Sequence, residues 1–191
     1  HIKDRCPSSN RSPLPPTPTP IPTDTPTPTV TPTPTPTPGI DWGDAPDPTY
    51  PTLSINNGAS HGIDGIVFLG NNIDAERDGQ PDPFALGDDL TDVSDEDGVF
   101  FTTLIAPGDP ASVFVSASTT ATLNAWIDFG QDGGWADIGD QIFTSLEVSP
   151  GINILVFNVP ATAVPGNTFA RFRLSSNPEL CFDGPAENGE V

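Results

Sequence analysis

Carboxylates in dense runs are the side chains of this sequence best placed to do chemistry, and the chemistry they suggest is cation binding. Asp128, Asp132, Asp137 and Asp140 follow an apolar stretch, and Gly133 comes directly after the second of them. Calcium loops are built this way: oxygens at alternating positions turn inward, and glycine allows the sharp bend. The match to an EF-hand loop is partial. Gly130 stands where the third ligand is usual, Gly139 stands at the twelfth position with Asp140 one residue late, and no helical pattern flanks the loop. The spacing fits a calcium loop of another kind or an Asp-Gly hairpin turn. A second run holds Asp74, Glu76 and Asp78, then Asp88 and Asp89, then Asp95 and Asp97. Packed together without cations, such groups repel at every contact, and Ca²⁺ is the hard, oxygen-seeking ion that relieves this. The alternative is a solvated acidic loop. A third, shorter group is Asp41, Asp44 and Asp47, any of which could join a site.

Catalytic readings find little support. A carboxylate pair could serve a glycosidase, but acids are so abundant that a pair carries no information. His61 follows Ser60 directly, and adjacency in sequence rarely gives triad geometry. It reads as a structural hydrogen-bonder. Phosphate-loop and dinucleotide fingerprints are missing, so no enzymatic activity is expected.

The whole chain has 191 residues, 26 acidic and 6 basic, for a formal charge of −20. That balance excludes nucleic acid, which demands clustered Lys and Arg, and anionic lipid surfaces. Eleven of the acids lie between Asp64 and Asp97, while half of the basic residues (Lys3, Arg5, Arg11) lie in the first twelve positions. A basic arm and an acidic domain on one chain suggest docking of one on the other. No apolar run approaches the roughly 20 residues of a membrane span. There is no signal peptide and no Met, and the chain starts at His1. It reads as a processed product or a piece of a longer protein.

The elements that must position these groups are strands. No helical periodicity is sustained over three turns. Val99–Ile105, Ser112–Ala117, Ala121–Asp128, Gln141–Phe143, Ile152–Val159 and Thr168–Leu174 are β-rich, with Gly, Pro, Asn and Asp clusters between them. The rhythm predicts an all-β sandwich, jelly-roll or Ig-like Greek key, with long acidic loops over residues 40–191. Residues 41–97 are so loop-rich that something besides a core must order them, and the acids there suggest a metal.

Residues 13–39 form a Pro-Thr tract. Proline at every second or third position fixes an extended polyproline II backbone. At about 3.1 Å per residue, its 26 residues from 13 to 38 would reach roughly 80 Å. The composition is that of an O-glycosylated stalk, with Thr17, Thr19, Thr23, Thr25, Thr27, Thr29, Thr31, Thr33, Thr35 and Thr37 as the acceptors. Residues 1–12 form a separate N-terminal arm. A stalk of this kind belongs to an extracellular or cell-surface architecture, where two lone cysteines, Cys6 and Cys181, favour a disulfide.

Taken in order, these blocks resemble the GEVED family of large bacterial surface and secreted proteins. The match runs through Asp41-Trp42-Gly43-Asp44-Ala45-Pro46-Asp47 and Tyr50-Pro51-Thr52. It continues through Leu69-Gly70, Asp74-Ala75-Glu76, Asp78-Gly79-Gln80-Pro81, Gly87-Asp88-Asp89 and Asp95-Glu96-Asp97-Gly98-Val99. Ala125-Trp126-Ile127-Asp128-Phe129, Ala170-Arg171-Phe172-Arg173 and Gly189-Glu190-Val191 complete it, so that it covers nearly all of residues 40–191. The resemblance implies a non-catalytic β-sandwich module of repeat-rich extracellular proteins. The family motif continues beyond Gly-Glu-Val into a final strand, and His1-Ile2-Lys3-Asp4-Arg5-Cys6 would make a plausible continuation of it. Either units follow one another in a tandem polypeptide, or separate subunits donate this strand to a neighbour. In both cases Ile2, Lys3 and Arg5 contact another unit, and Cys6 meets Cys181 across units. A bond within one chain would require the stalk to fold back. The expectation is a non-catalytic subunit of an extracellular fibre, partnered by copies of itself, O-glycosylated and stabilised by Ca²⁺. The alternative is a single stalked accessory module, adhesive or carbohydrate-binding, of a multidomain secreted protein.

Overall fold

The computed structural model describes residues 39–87 and 96–191. The arm with Ile2, Lys3, Arg5 and Cys6, the Pro-Thr tract with its ten threonines, and Asp88, Asp89 and Asp95 lie outside the described residues.

The described residues form nine strands: β1 (Ile40–Trp42), β2 (Ser60–Gly62), β3 (Val99–Phe101), β4 (Pro110–Ala117), β5 (Ala121–Ile127), β6 (Gln141–Val148), β7 (Gly151–Asn158), β8 (Ala170–Ser175) and β9 (Pro185–Ala186). The longest described helical elements are two single 3₁₀ turns, Ser54–Asn56 and Glu96–Gly98. Three small sheets result, in the orders β1-β2-β9, β3-β4-β7 and β6-β5-β8. All pairings are antiparallel except β2 with β9.

Alternation in the sequence explains the main packing. In β4, Ala111, Val113, Val115 and Ala117 are buried, and their neighbours are not. They meet Ala121, Leu123, Ala125 and Ile127 of β5, with Phe143, Phe157, Phe172 and Leu174, in one core shared by the two larger sheets. β7 returns to pair with β4 along its whole length, a Greek-key return folded over two sheets.

β5 and β8 are buried on both faces, because the small third sheet and its loops cover the outside of their sheet. There a second apolar cluster joins Ala45, Tyr50, Trp126 and Trp135, with Phe169 and Phe182 packed against it. The expected strand over 99–105 ends at Phe101. Beyond it the chain turns away, with Thr103 Oγ1 accepting a hydrogen bond from the Ser112 backbone. The strand expected to end at Phe143 instead continues to Val148. It passes an irregularity at Ser145, which has a φ of 48° and bonds Asn124 through its N–H.

Candidate functional site

The 128–140 loop forms at the end of β5, where the strand delivers Asp128 into the interior. Asp128 is fully buried. Its Oδ2 accepts from the Tyr50 hydroxyl at 2.6 Å and from the Gly133 N–H at 3.0 Å, and its Oδ1 accepts from the Asp132 N–H at 3.4 Å. Burial alone would raise its pKa, but these bonds outweigh it and hold the carboxyl below its usual value. Asp128 thus closes its own loop. Gly133 has a φ of 89°, and a Cβ there would lie 2.3 Å from the Thr49 methyl, so only glycine fits the turn.

Asp140 behaves differently. It is also buried, and its Oδ1 accepts from the Phe129 N–H at 3.2 Å. Its Oδ2 is buried with no hydrogen-bond partner among the described residues. Burial, and then repulsion from Asp128 and Asp137, push its pKa up to about 6. Asp132 and Asp137 are exposed on the rim. The structure therefore brings Asp128 and Asp140 into one buried corner with Asp132 and Asp137 outside it.

The described members of the second acidic run, Asp74, Glu76, Asp78 and Asp97, are not gathered in one place. Glu76 Oε2 accepts from the Trp42 N–H at 2.9 Å, and Asp78 accepts from the N–H and hydroxyl of Ser54. Asp97 holds Asn71 through its N–H and its side-chain amide, at 2.9 and 2.5 Å. Asp74 is half-buried. Among the described residues, no group of three or more His, Cys, Asp or Glu forms a metal cage.

Residues 41–62 are ordered by a device the sequence reading missed. Arg171 and Arg173 project from β8 toward the outer loops and are almost wholly buried. Arg173 donates to the carbonyls of Cys181, Asp183, Ser60 and Gly184 at 2.7–3.2 Å, and its Nε donates to His61 Nε2 at 2.9 Å. Arg171 donates to the carbonyls of Pro51 and Phe182 and to Thr52 Oγ1, and its guanidinium lies 4.5 Å from the Trp135 ring centroid. Burial and mutual repulsion pull Arg171 down to about 9, and burial pulls Arg173 down to about 10. Both remain cationic at neutral pH. Asp41, Asp44, Asp47 and Asp183 supply the countercharge. The opening acids thus neutralise buried arginines, and Asp47 also accepts from the N–H groups of Thr52 and Leu53.

His61 is fully buried and donates through Nδ1 to the Asn188 carbonyl at 2.9 Å. Burial and Arg173 lower its pKa well below the usual value. It is the neutral structural hydrogen-bonder that its sequence context suggested. A signal for the arginines was present: two of only six basic residues, placed two apart in an apolar strand.

The edge of β8 is the other feature of note. Leu174 exchanges both backbone hydrogen bonds with Glu190, each at 3.0 Å. By the period of two, the backbone groups of Phe172 and Ala170 point the same way, and no described strand pairs with them there. Beside this edge lies a largely apolar cavity of about 350 Å³, lined by Leu69, Val99, Phe101 and Phe172, with the buried Asp44 and Glu190 also in its wall.

Fold and site define an all-β domain whose polar interior holds loops together. No helix among the described residues is long and apolar enough to cross a membrane. Residues 122–191, from the start of β5 to Val191, are similar to the GEVED domain and match its family model. The blocks between Asp41 and Val99 lie outside the matched stretch. Neither the curated proteins nor the solved structures contain a match to the chain.

Proposed function

We propose that this chain is a non-catalytic structural unit of an extracellular filament or surface fibre, joined arm to head. The observation that carries this reading is the β8 edge with which no described strand pairs at Phe172 and Ala170, beside its apolar cavity. A strand added there would pair with Phe172 and Ala170 and turn alternate side chains toward Leu69, Val99 and Phe101. The arm of a second copy suits the place chemically. Ile2 is apolar, and Lys3 and Arg5 are basic in a chain whose net charge is −20. Head-to-arm contacts do not close on themselves, so they propagate. Cys181 is not a free thiol, and Cys6 is the other cysteine of the chain. A bond between them would tie the arm to a domain, and electrophoresis with and without reductant separates linked units from a bond within one chain.

The fibre reading includes a cation at the 128–140 corner. Asp128 is already committed to protein donors, so Asp140 would hold Ca²⁺ through its unpartnered oxygen, with water and loop carbonyls completing the shell, since no three acids of the described residues converge there. A bound cation would offset the charge that Asp140 otherwise holds in the interior. The threonines of the stalk are proposed to carry O-glycans, which an intact mass equal to the bare polypeptide would refute.

Electron microscopy of the full chain, beside a variant lacking residues 1–12, tests the assembly. A regular axial repeat that disappears with the arm is the expected result. Isolated particles from the full chain, or filaments that survive without the arm, would return the domain to the alternative of a stalked accessory module.

A further inference from the structure

The outer face of the β3-β4-β7 sheet has a composition that neither the core nor the arm explains. Across these three strands not one residue is Asp, Glu, Lys or Arg, in a chain with 26 acidic and 6 basic residues. The face is also apolar where solvent would ordinarily select polar side chains. Ile152, Ile154 and Val156 of β7 are 71%, 67% and 64% exposed, and Phe100 of β3 is 68% exposed. Register aligns them: Phe100 stands opposite Phe114, and Phe114 opposite Ile154, in one row across all three strands. Val156 and Ile152 flank the row opposite Ser112 and Ser116. β7 forms an edge of its sheet and carries neither charge nor proline, the usual protections of an exposed edge.

We infer that this face is a contact surface for a second copy of the chain, packed sheet on sheet about a two-fold axis. The charge pattern selects the partner. Two molecules of charge −20 that meet elsewhere set carboxylate against carboxylate, whereas this sheet brings none. A cationic partner would be drawn to the acidic loops instead. The row is self-complementary under a two-fold centred near Ile154, because Ile152 and Val156 are similar in shape and symmetrically placed. Sheets packed this way sit about 10 Å apart with strands within about 30° of each other. The exposed apolar side chains amount to roughly 500 Å² per copy, large for a single apolar patch but below the ~800 Å² per partner of a standard stable interface. The contact is therefore weak alone and effective where copies are already arrayed. It goes beyond axial assembly, since it joins units side by side.

Salt separates the two contacts. Association through a neutral face between like-charged molecules strengthens as salt screens the repulsion, while docking of a basic arm on an acidic domain weakens. Sedimentation velocity of the full chain, over a concentration series at about 0.05 and 0.5 M NaCl, is the test. The expected result is dimer that increases with salt, persists in the variant lacking residues 1–12, and weakens at least tenfold in Ile154→Glu and in Phe100→Ser, with each variant's fold checked by its melting curve. A chain that stays monomeric at both salts overturns the inference. So does association that Ile154→Glu and Phe100→Ser both leave unchanged. Dimer lost with the arm or dispersed by salt would also overturn it while supporting the arm contact.

Discussion

Removing the Arg173 guanidinium should unfasten the outer loops from a core that stays folded. In Arg173→Met, five acceptors lose their donor: the carbonyls of Cys181, Asp183, Ser60 and Gly184, and Nε2 of His61. Those of Cys181 and Asp183 belong to half-buried residues and can take water, but Ser60, His61 and Gly184 are buried. At about 1–3 kcal/mol for each buried acceptor left unsatisfied, the gross cost is roughly 3–9 kcal/mol. Relief of Arg171 and of the desolvated charge returns part of it. A net loss of about 3–5 kcal/mol is expected, a large share of the ~5–15 kcal/mol that holds a domain together. Urea unfolding gives the total, and hydrogen exchange gives the location. Protection should vanish at Ser60–Gly62 and fall at Ala186 while β4 and β7 keep theirs. Arg173→Lys should recover little, because an ammonium lacks the planar fork. A loss under about 1 kcal/mol in Arg173→Met, with exchange at Ser60–Gly62 unchanged, would refute the claim that this side chain orders the loops.

Tyr50→Phe removes the hydroxyl that Asp128 accepts at 2.6 Å and should cost about 1.5–3 kcal/mol, the worth of a hydrogen bond to a charged group; an unchanged unfolding midpoint would count against the loop-closing role of Asp128. Asp140 predicts a pH dependence. Its folded pKa of about 6 lies above the ordinary aspartate value of 3.8, so the folded state holds the proton longer than the unfolded chain does. That stabilisation is present at low pH and is lost as pH rises toward and through 6, at most about 3 kcal/mol. In chelator, Asp140→Asn should therefore flatten the fall in stability between about pH 4 and 7. Excess Ca²⁺ should flatten it in the unsubstituted protein and not raise the melting temperature of the variant as much. Equal slopes for the two proteins in chelator would refute the burial cost, and equal calcium shifts would place the ion elsewhere.

The sequence by itself determined the class of the chain and the kind of its fold. Period-two alternation in Ala111–Ala117 can bury one face only as a strand, and turn residues after each such run make the pattern all-β. The role of His61 was also legible, because an isolated histidine has few partners for chemistry. What only the tertiary structure decided is where each polar group spends its bonding capacity. Arg171 and Arg173 alternate with Phe172 and Leu174, a pattern identical to a strand with one solvated face. They are buried because Ser60, His61, Pro51 and Thr52 fold over them from more than 100 positions earlier. Likewise Asp128 and Asp140 look alike in the loop, yet one meets Tyr50 from 78 residues away while the other keeps an unpartnered oxygen. Local periodicity reports which way a side chain points. Whether water or another part of the chain waits there depends on contacts distant in sequence, and those exist only once the chain has folded.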